Sequence, residues 1–168
     1  MKKLLLILII GLSFTPAQAQ FTKATLQATG LTCAMCSNAI NKALQKVPFV
    51  ESVQSDIKNS AFNLVFRADS TVNIDALRNA VEDAGFFIGG LKLKGDLTGV
   101  NVVTDTPVKL EDGIFIFLNT ESQVLSGEKT VTVVDKGFMT AKEFKKKGAS
   151  VKDTNASVDG KKIYCVTI

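Results

Sequence analysis

Hydrophobic and polar residues alternate from Lys23 to Thr29, the pattern of a half-buried strand. Ile40, Ala43, Leu44 and Val47 then recur at the spacing of one helical face, which predicts a helix over Cys36–Val47 closed by Pro48. Val50–Ile57 and Ala61–Arg67 read as an antiparallel pair joined at Lys58-Asn59-Ser60, and the alternation of Phe62, Leu64 and Phe66 turns one face of that pair to a core. A second helix follows from Asn73 or Ile74 to Ala84, burying Ile74, Leu77, Ala80 or Val81, and Ala84. Asn73 suits its N-cap, and Gly85 suits the left-handed geometry that ends it. Phe86–Leu93 returns as a strand. Strand, helix, strand, strand, helix, strand is the split βαβ order of a ferredoxin-like domain, spanning residues 20–94.

The texture changes near Gly95. Gly99, Asp112-Gly113, Gly127, Gly137, Gly148 and Gly160 punctuate short β-rich runs, of which Ile114–Leu118, Thr130–Val134 and Ile163–Ile168 are the clearest strands. A short helix fits Thr140–Lys147. Regular turns with little helix suggest a second domain over residues 95–168, a small barrel or sandwich with an OB-like barrel as the first expectation. The fold class is therefore α+β. The linker at Lys94-Gly95-Asp96 is short, so the two domains are expected to pack together.

Residues 1–19 have the grammar of a signal peptide. Lys2 and Lys3 precede an apolar run from Leu4 to Phe14, and Ala17-Gln18-Ala19 fits the small-x-small cleavage rule, giving a mature chain that starts at Gln20. The run is too short to span a bilayer comfortably, and no later segment is long and apolar enough to do so. The expectation is an exported protein, periplasmic or secreted, without stable membrane insertion. Losing Lys2 and Lys3 lowers the formal charge of +4 by two, and the remaining lysines are scattered, which argues against nucleic acid. Lys142–Lys147 is the one locally basic run and reads as a solvated surface.

Three cysteines are too few for a disulfide scaffold, and an odd number leaves one unpaired. The chain contains no histidine, so any metal site must use sulfur or oxygen, and histidine-dependent triads are impossible. Acidic residues are not grouped into an acid–base pair or a metal cage, so no enzyme is expected. The informative motif is Gly30-Leu31-Thr32-Cys33-Ala34-Met35-Cys36, which sets two thiols three positions apart where the first strand gives way to the first helix. Cys36 lies near a helix N-terminus, where the dipole and free N–H groups favour a thiolate. Two such thiolates on a short loop make a soft, low-coordinate metal site.

Residues 24–93 resemble the heavy-metal-associated domain family, which includes copper chaperones, copper-ATPase N-terminal modules and the periplasmic mercury-binding protein. The likeness rests on the cysteine loop, Ile40, Leu44 and Asp83-Ala84-Gly85-Phe86. It implies that Cys33 and Cys36 are the metal ligands, that Gly30 permits the loop turn, and that Leu31 replaces the usual methionine packed beneath the loop. It also brings a residue of the loop holding Phe86 towards the metal, where many cytosolic eukaryotic chaperones carry lysine. Copper(I) is the expected cargo, with mercury(II) or zinc as alternatives, and the expected partner is another metal-handling protein that receives or supplies the ion by thiolate exchange. Two other readings stay open: thiol–disulfide exchange by the same cysteines, and a metal-sensing module acting through the second domain. Met35 and Met139 are additional sulfur donors whose simpler reading is packing or exposure. Cys165 reads first as a buried thiol, with a third ligand or an intermolecular disulfide as alternatives.

Overall fold

The computed structural model describes residues 20–31, 33–147, 157–158 and 160–168. The expected signal peptide, 1–19, lies outside the described residues. The first half runs β1 (Gln20–Thr29), α1 (Ala34–Gln45), β2 (Val50–Asp56), β3 (Ala61–Phe66), α2 (Ile74–Asp83) and β4 (Phe87–Asp96). Its strands lie in the order β2-β3-β1-β4 with antiparallel neighbours, so the ferredoxin-like arrangement expected for this region is present. Ala24, Leu26 and Ala28 of β1, Phe62 and Leu64 of β3 and Leu91 and Leu93 of β4 share one core with Ile40 and Leu44 of α1 and Leu77 and Val81 of α2. The alternate residues Lys23, Gln27, Asn63 and Lys92 are exposed, as a strand period of two requires.

Both helices carry their stop and start signals. Helix α1 begins two residues before the expected Cys36, because Cys33 itself is the N-cap: its extended backbone turns its sulfur to accept the N–H of Cys36. In α2 the Asn73 carboxamide oxygen accepts from the N–H of Ala76 at 3.1 Å. The end of α2 is a Schellman motif, with Gly85 N–H donating to Glu82 O and Phe86 N–H to Val81 O. Gly85 takes φ +87°, a left-handed conformation that side-chain-bearing residues adopt at a cost.

The second half consists of β5 (Asn101–Val102), β6 (Pro107–Leu110), β7 (Gly113–Phe117), β8 (Gln123–Val124), β9 (Glu128–Val133), α3 (Ala141–Lys147), β10 (Ser157–Val158) and β11 (Lys161–Thr167). The expected strands and short helix are all present within a residue or two. Their assembly differs from the expectation. Strand β9 pairs with β4, and the sheet continues β9-β11-β7-β6, so the main sheet of the described residues is open and mixed rather than an OB-like barrel, with β5 and β8 paired apart from it. Strands β11 and β7 run parallel, and both are near-continuous apolar runs whose sequence specifies neither a single buried face nor a neighbour.

The expected linker is itself strand. Lys94, Gly95 and Asp96 pair with Thr130, Lys129 and Glu128. Gly95 is buried, and a Cβ there would collide with the carbonyl oxygen of Gln20 and lie 2.6 Å from the Cα of Phe21. What reads in sequence as turn glycine is a close-approach glycine between β1 and β4.

The two halves share one hydrophobic cluster, in which Phe21 meets Phe115, Phe115 meets Tyr164 and Tyr164 meets Phe138. Polar contacts fasten the start of α2 to the second half. The Asp75 carboxylate accepts from the Tyr164 hydroxyl at 2.9 Å, from Lys162 at 3.1 Å and from Arg78 at 3.0 Å. Burial, then the Asp75 charge and its hydrogen bond, push the Tyr164 phenol well above its ordinary range. Glu111 accepts backbone N–H groups from Phe21 at 2.8 Å and Val72 at 3.1 Å.

Candidate metal site

Strand β1 ends at Thr29, Gly30 turns the chain with φ +83°, and Leu31 packs against the core as the expected anchor of the loop. Cys33 is exposed and Cys36 is partly exposed, and both are free thiols. Ser37 N–H donates to Cys33 O at 3.3 Å, the first hydrogen bond of α1, while Cys36 N–H donates to Cys33 Sγ at 3.4 Å. The loop and first helical turn therefore bring the two sulfurs together.

The sulfurs lie 2.7 Å apart, farther than a disulfide bond of about 2.05 Å. The Cys36 side chain and then its backbone N–H hold the Cys33 thiol below the ordinary thiol range. Cys33 is thus poised to offer a thiolate. Two sulfurs each about 2.3 Å from one ion would stand about 4 Å or more apart. Seating an ion requires the side chains to open, which the exposure of Cys33 and the partial exposure of Cys36 allow. The donor set fits a soft ion that tolerates few ligands. Among the described residues, no group of three or more Cys, Asp or Glu side chains is placed to hold a metal.

The neighbouring sulfurs do not join the pair. Met35 is 82% exposed, on the outer side of the first turn. Cys165 is 2% exposed, within a cluster of Leu118, Val134, Ile116 and Met139. Burial, followed by the charges of Asp135 and Asp105, pushes its thiol up to about 11. The structural reading of Cys165 and Met139 holds, and Met35 is exposed as its simpler reading anticipated.

Phe86 is the residue that the end of α2 aims at the loop. Its ring edge would lie 4.0 Å from a Cβ placed on Gly30, and it packs on the shared core. An aromatic ring therefore supports the loop where a lysine would have supplied charge. Sequence reasoning did not single out Phe87, which is 68% exposed beside it. Two adjacent phenylalanines at a strand start carry no signal for which one faces solvent.

Residues 25–87 match the heavy-metal-associated domain model. The chain is 33% identical over 86 residues to the mercuric transport protein periplasmic component of Pseudomonas fluorescens, which covers 51% of this chain and 93% of that protein. It is 31% identical over 65 residues to a probable copper-transporting ATPase of Arabidopsis thaliana, covering 39% of this chain and only 6% of the ATPase. Among solved structures, the CopZ metallochaperone aligns with TM-score 0.37 at 25% identity, covering 40% of this chain and 98% of that one. The matched segment is a metal-binding domain and not a catalytic one. With a cysteine loop, a βαββαβ core and a relative matched over nearly its whole length, the chain belongs to the heavy-metal-associated domain family.

Proposed function

We propose that this protein is an exported carrier or buffer of a soft metal, copper(I) first, which Cys33 and Cys36 hold and pass to another metal-handling protein. The observation that carries the reading is the exposed thiol pair at the N-cap of α1, with Cys33 poised towards thiolate and no further donor among the described residues enclosing it. Copper(I) prefers thiolates and accepts two of them. An ion held by two ligands on an open loop is accessible to a third thiolate from a partner, so transfer proceeds by ligand exchange without release of free ion. Mercury(II) suits the same donors, and the similarity to a mercuric transport protein supports keeping it beside copper(I). Zinc prefers four ligands, which this loop does not supply. The apolar run at residues 4–14 and the Ala17-Gln18-Ala19 site support export.

The test is anaerobic titration of the reduced chain with copper(I), mercury(II) and zinc, repeated with Cys33→Ser and Cys36→Ser. One tightly held copper(I) in the wild type, weakened in both variants, is the expected outcome; equal binding by all three proteins would falsify the assignment. The short Sγ–Sγ approach also favours a second reading, thiol–disulfide exchange. Disulfide reductase or oxidase activity from metal-free protein, lost in either serine variant, would establish it.

A further inference from the structure

The face of the sheet opposite α1 and α2 is polar and carries exposed lysines. A cross-strand row of Gln54, Asn63, Thr25, Lys92 and Thr132 spans five strands of this face. Lys23 and Lys92 stand exposed on it, and α3 brings Lys142 and Lys146, one turn apart, over its end at Gly89. None of these four lysines has a carboxylate within ion-pair distance among the described residues, whereas the neighbouring Lys94 is paired with Glu128 at 2.8 Å.

The lysines of α3 wall a groove of about 550 Å³ whose other sides include Gln27, Asn59 and Thr140. Its one lining carboxylate among the described residues, Glu143, accepts from the Thr140 hydroxyl at 2.8 Å, while Thr140 Oγ accepts the Glu143 N–H at 3.3 Å and caps α3. At Thr29 and Thr140 this groove meets a second one, of about 410 Å³, that is lined by Phe87, Ile88 and Met139 and by Glu82, whose carboxylate is paired with Arg78 at 3.7 Å. Phe87 directly follows Phe86, the support of the cysteine loop. The lysine-walled groove thus adjoins a mostly apolar notch, and the two share Thr29, at the end of the strand that leads into the cysteine loop.

We infer that this face docks an acidic, extended segment of the protein that exchanges metal with Cys33 and Cys36, with an apolar side chain of that segment seated against Phe87. The inference deepens the carrier reading and rests on it. The charge calls for an anionic partner, and complementary charge acts chiefly on encounter rate and orientation. Concave grooves admit a peptide strand, whereas a flat bilayer surface cannot enter them. The Gln27 amide suits an extended backbone, whereas the Asn59 amide already donates to Asp56 at 2.7 Å and the Thr29 hydroxyl to Phe87 O at 3.3 Å; the lysines suit the segment's glutamate or aspartate side chains.

The probe is a fluorescent peptide of five glutamates followed by leucine, titrated into the full chain at rising salt. Binding should weaken with salt and fall about tenfold or more in Lys92→Glu/Lys142→Glu/Lys146→Glu. It should change less than twofold in Lys42→Glu/Lys46→Glu, which reverses exposed charges on the α1 side. Equal losses in the two variants would overturn the inference, as would tighter binding to phosphatidylglycerol vesicles than to the peptide. Copper(I) titration of the same variants separates this inference from the carrier reading, because charge reversal leaves both cysteines in place. Full metal binding with lost peptide binding supports the docking face; lost metal binding in the wild type refutes the carrier reading instead.

Discussion

At Cys33 one sulfur caps a helix and faces its partner thiol, and the two roles can be pulled apart. Serine is a good N-cap and a poor ligand for copper(I), whereas alanine is neither. Cys33→Ser should therefore keep or raise the melting temperature of the metal-free protein while losing copper(I). Cys33→Ala should lose both, as thermal denaturation with and without metal would show. Metal uptake displaces thiol protons, so copper(I) affinity should fall as pH drops through the Cys33 pKa, which lies below the ordinary thiol value of 9.0. Met35, exposed on the outer side of the turn, should be dispensable: Met35→Ala is expected to change copper(I) affinity by less than about twofold.

Cys165 has the opposite shift and a different consequence. Its thiol is raised to about 11 from 9.0, so the folded chain holds this proton where the unfolded chain has begun to lose it. Stability should decline as pH rises from 9.0 through about 11, with the native state binding the additional proton throughout that window. Urea denaturation of wild type and Cys165→Ala over this range checks it, since the variant should show a shallower decline.

Among the elements, α2 connects site and scaffold. Its C-terminal Schellman turn directs Phe86 to the cysteine loop, and its first turn is tied to the second half through Asp75. Gly85→Ala places a Cβ at φ +87° and is expected to cost about 1–2 kcal/mol in urea denaturation. Amide shifts should spread to Gly30 and Cys33 as Phe86 moves. The helices themselves were legible in sequence because Ile40 and Leu44, and Ile74, Leu77 and Val81, repeat at helical spacing beside recognisable stop signals. The start of α1 was displaced because cysteine is an uncommon cap, so its sulfur was read as chemistry alone.

For the whole molecule, the consequence of the β4–β9 pairing is cooperativity. A sheet and a hydrophobic cluster that run through both halves leave no obvious place for one half to unfold alone. Scanning calorimetry should give one transition. Gly95→Val, which forces side-chain atoms into Gln20 and Phe21, should lower that transition as a whole instead of splitting it.

Local chemistry made the first half readable. Periodicity marked its strands and helices, and the glycine, the two thiols and the helix start lie within seven consecutive residues, so covalent connection alone brings the site together. The sequence also marked the strands of the second half, β9 by alternation and β7 and β11 as short apolar runs between turn residues. It carried no record of which edges meet: pairing β9 with β4 and β11 with β7 joins residues far apart in the chain through backbone groups that every residue possesses. Only tertiary structure turned Gly95 from a turn into a close contact, enclosed Cys165, and set the α3 lysines over Gln27 and Gly89 of the sheet, since each outcome depends on which distant strand or helix occupies the neighbouring space.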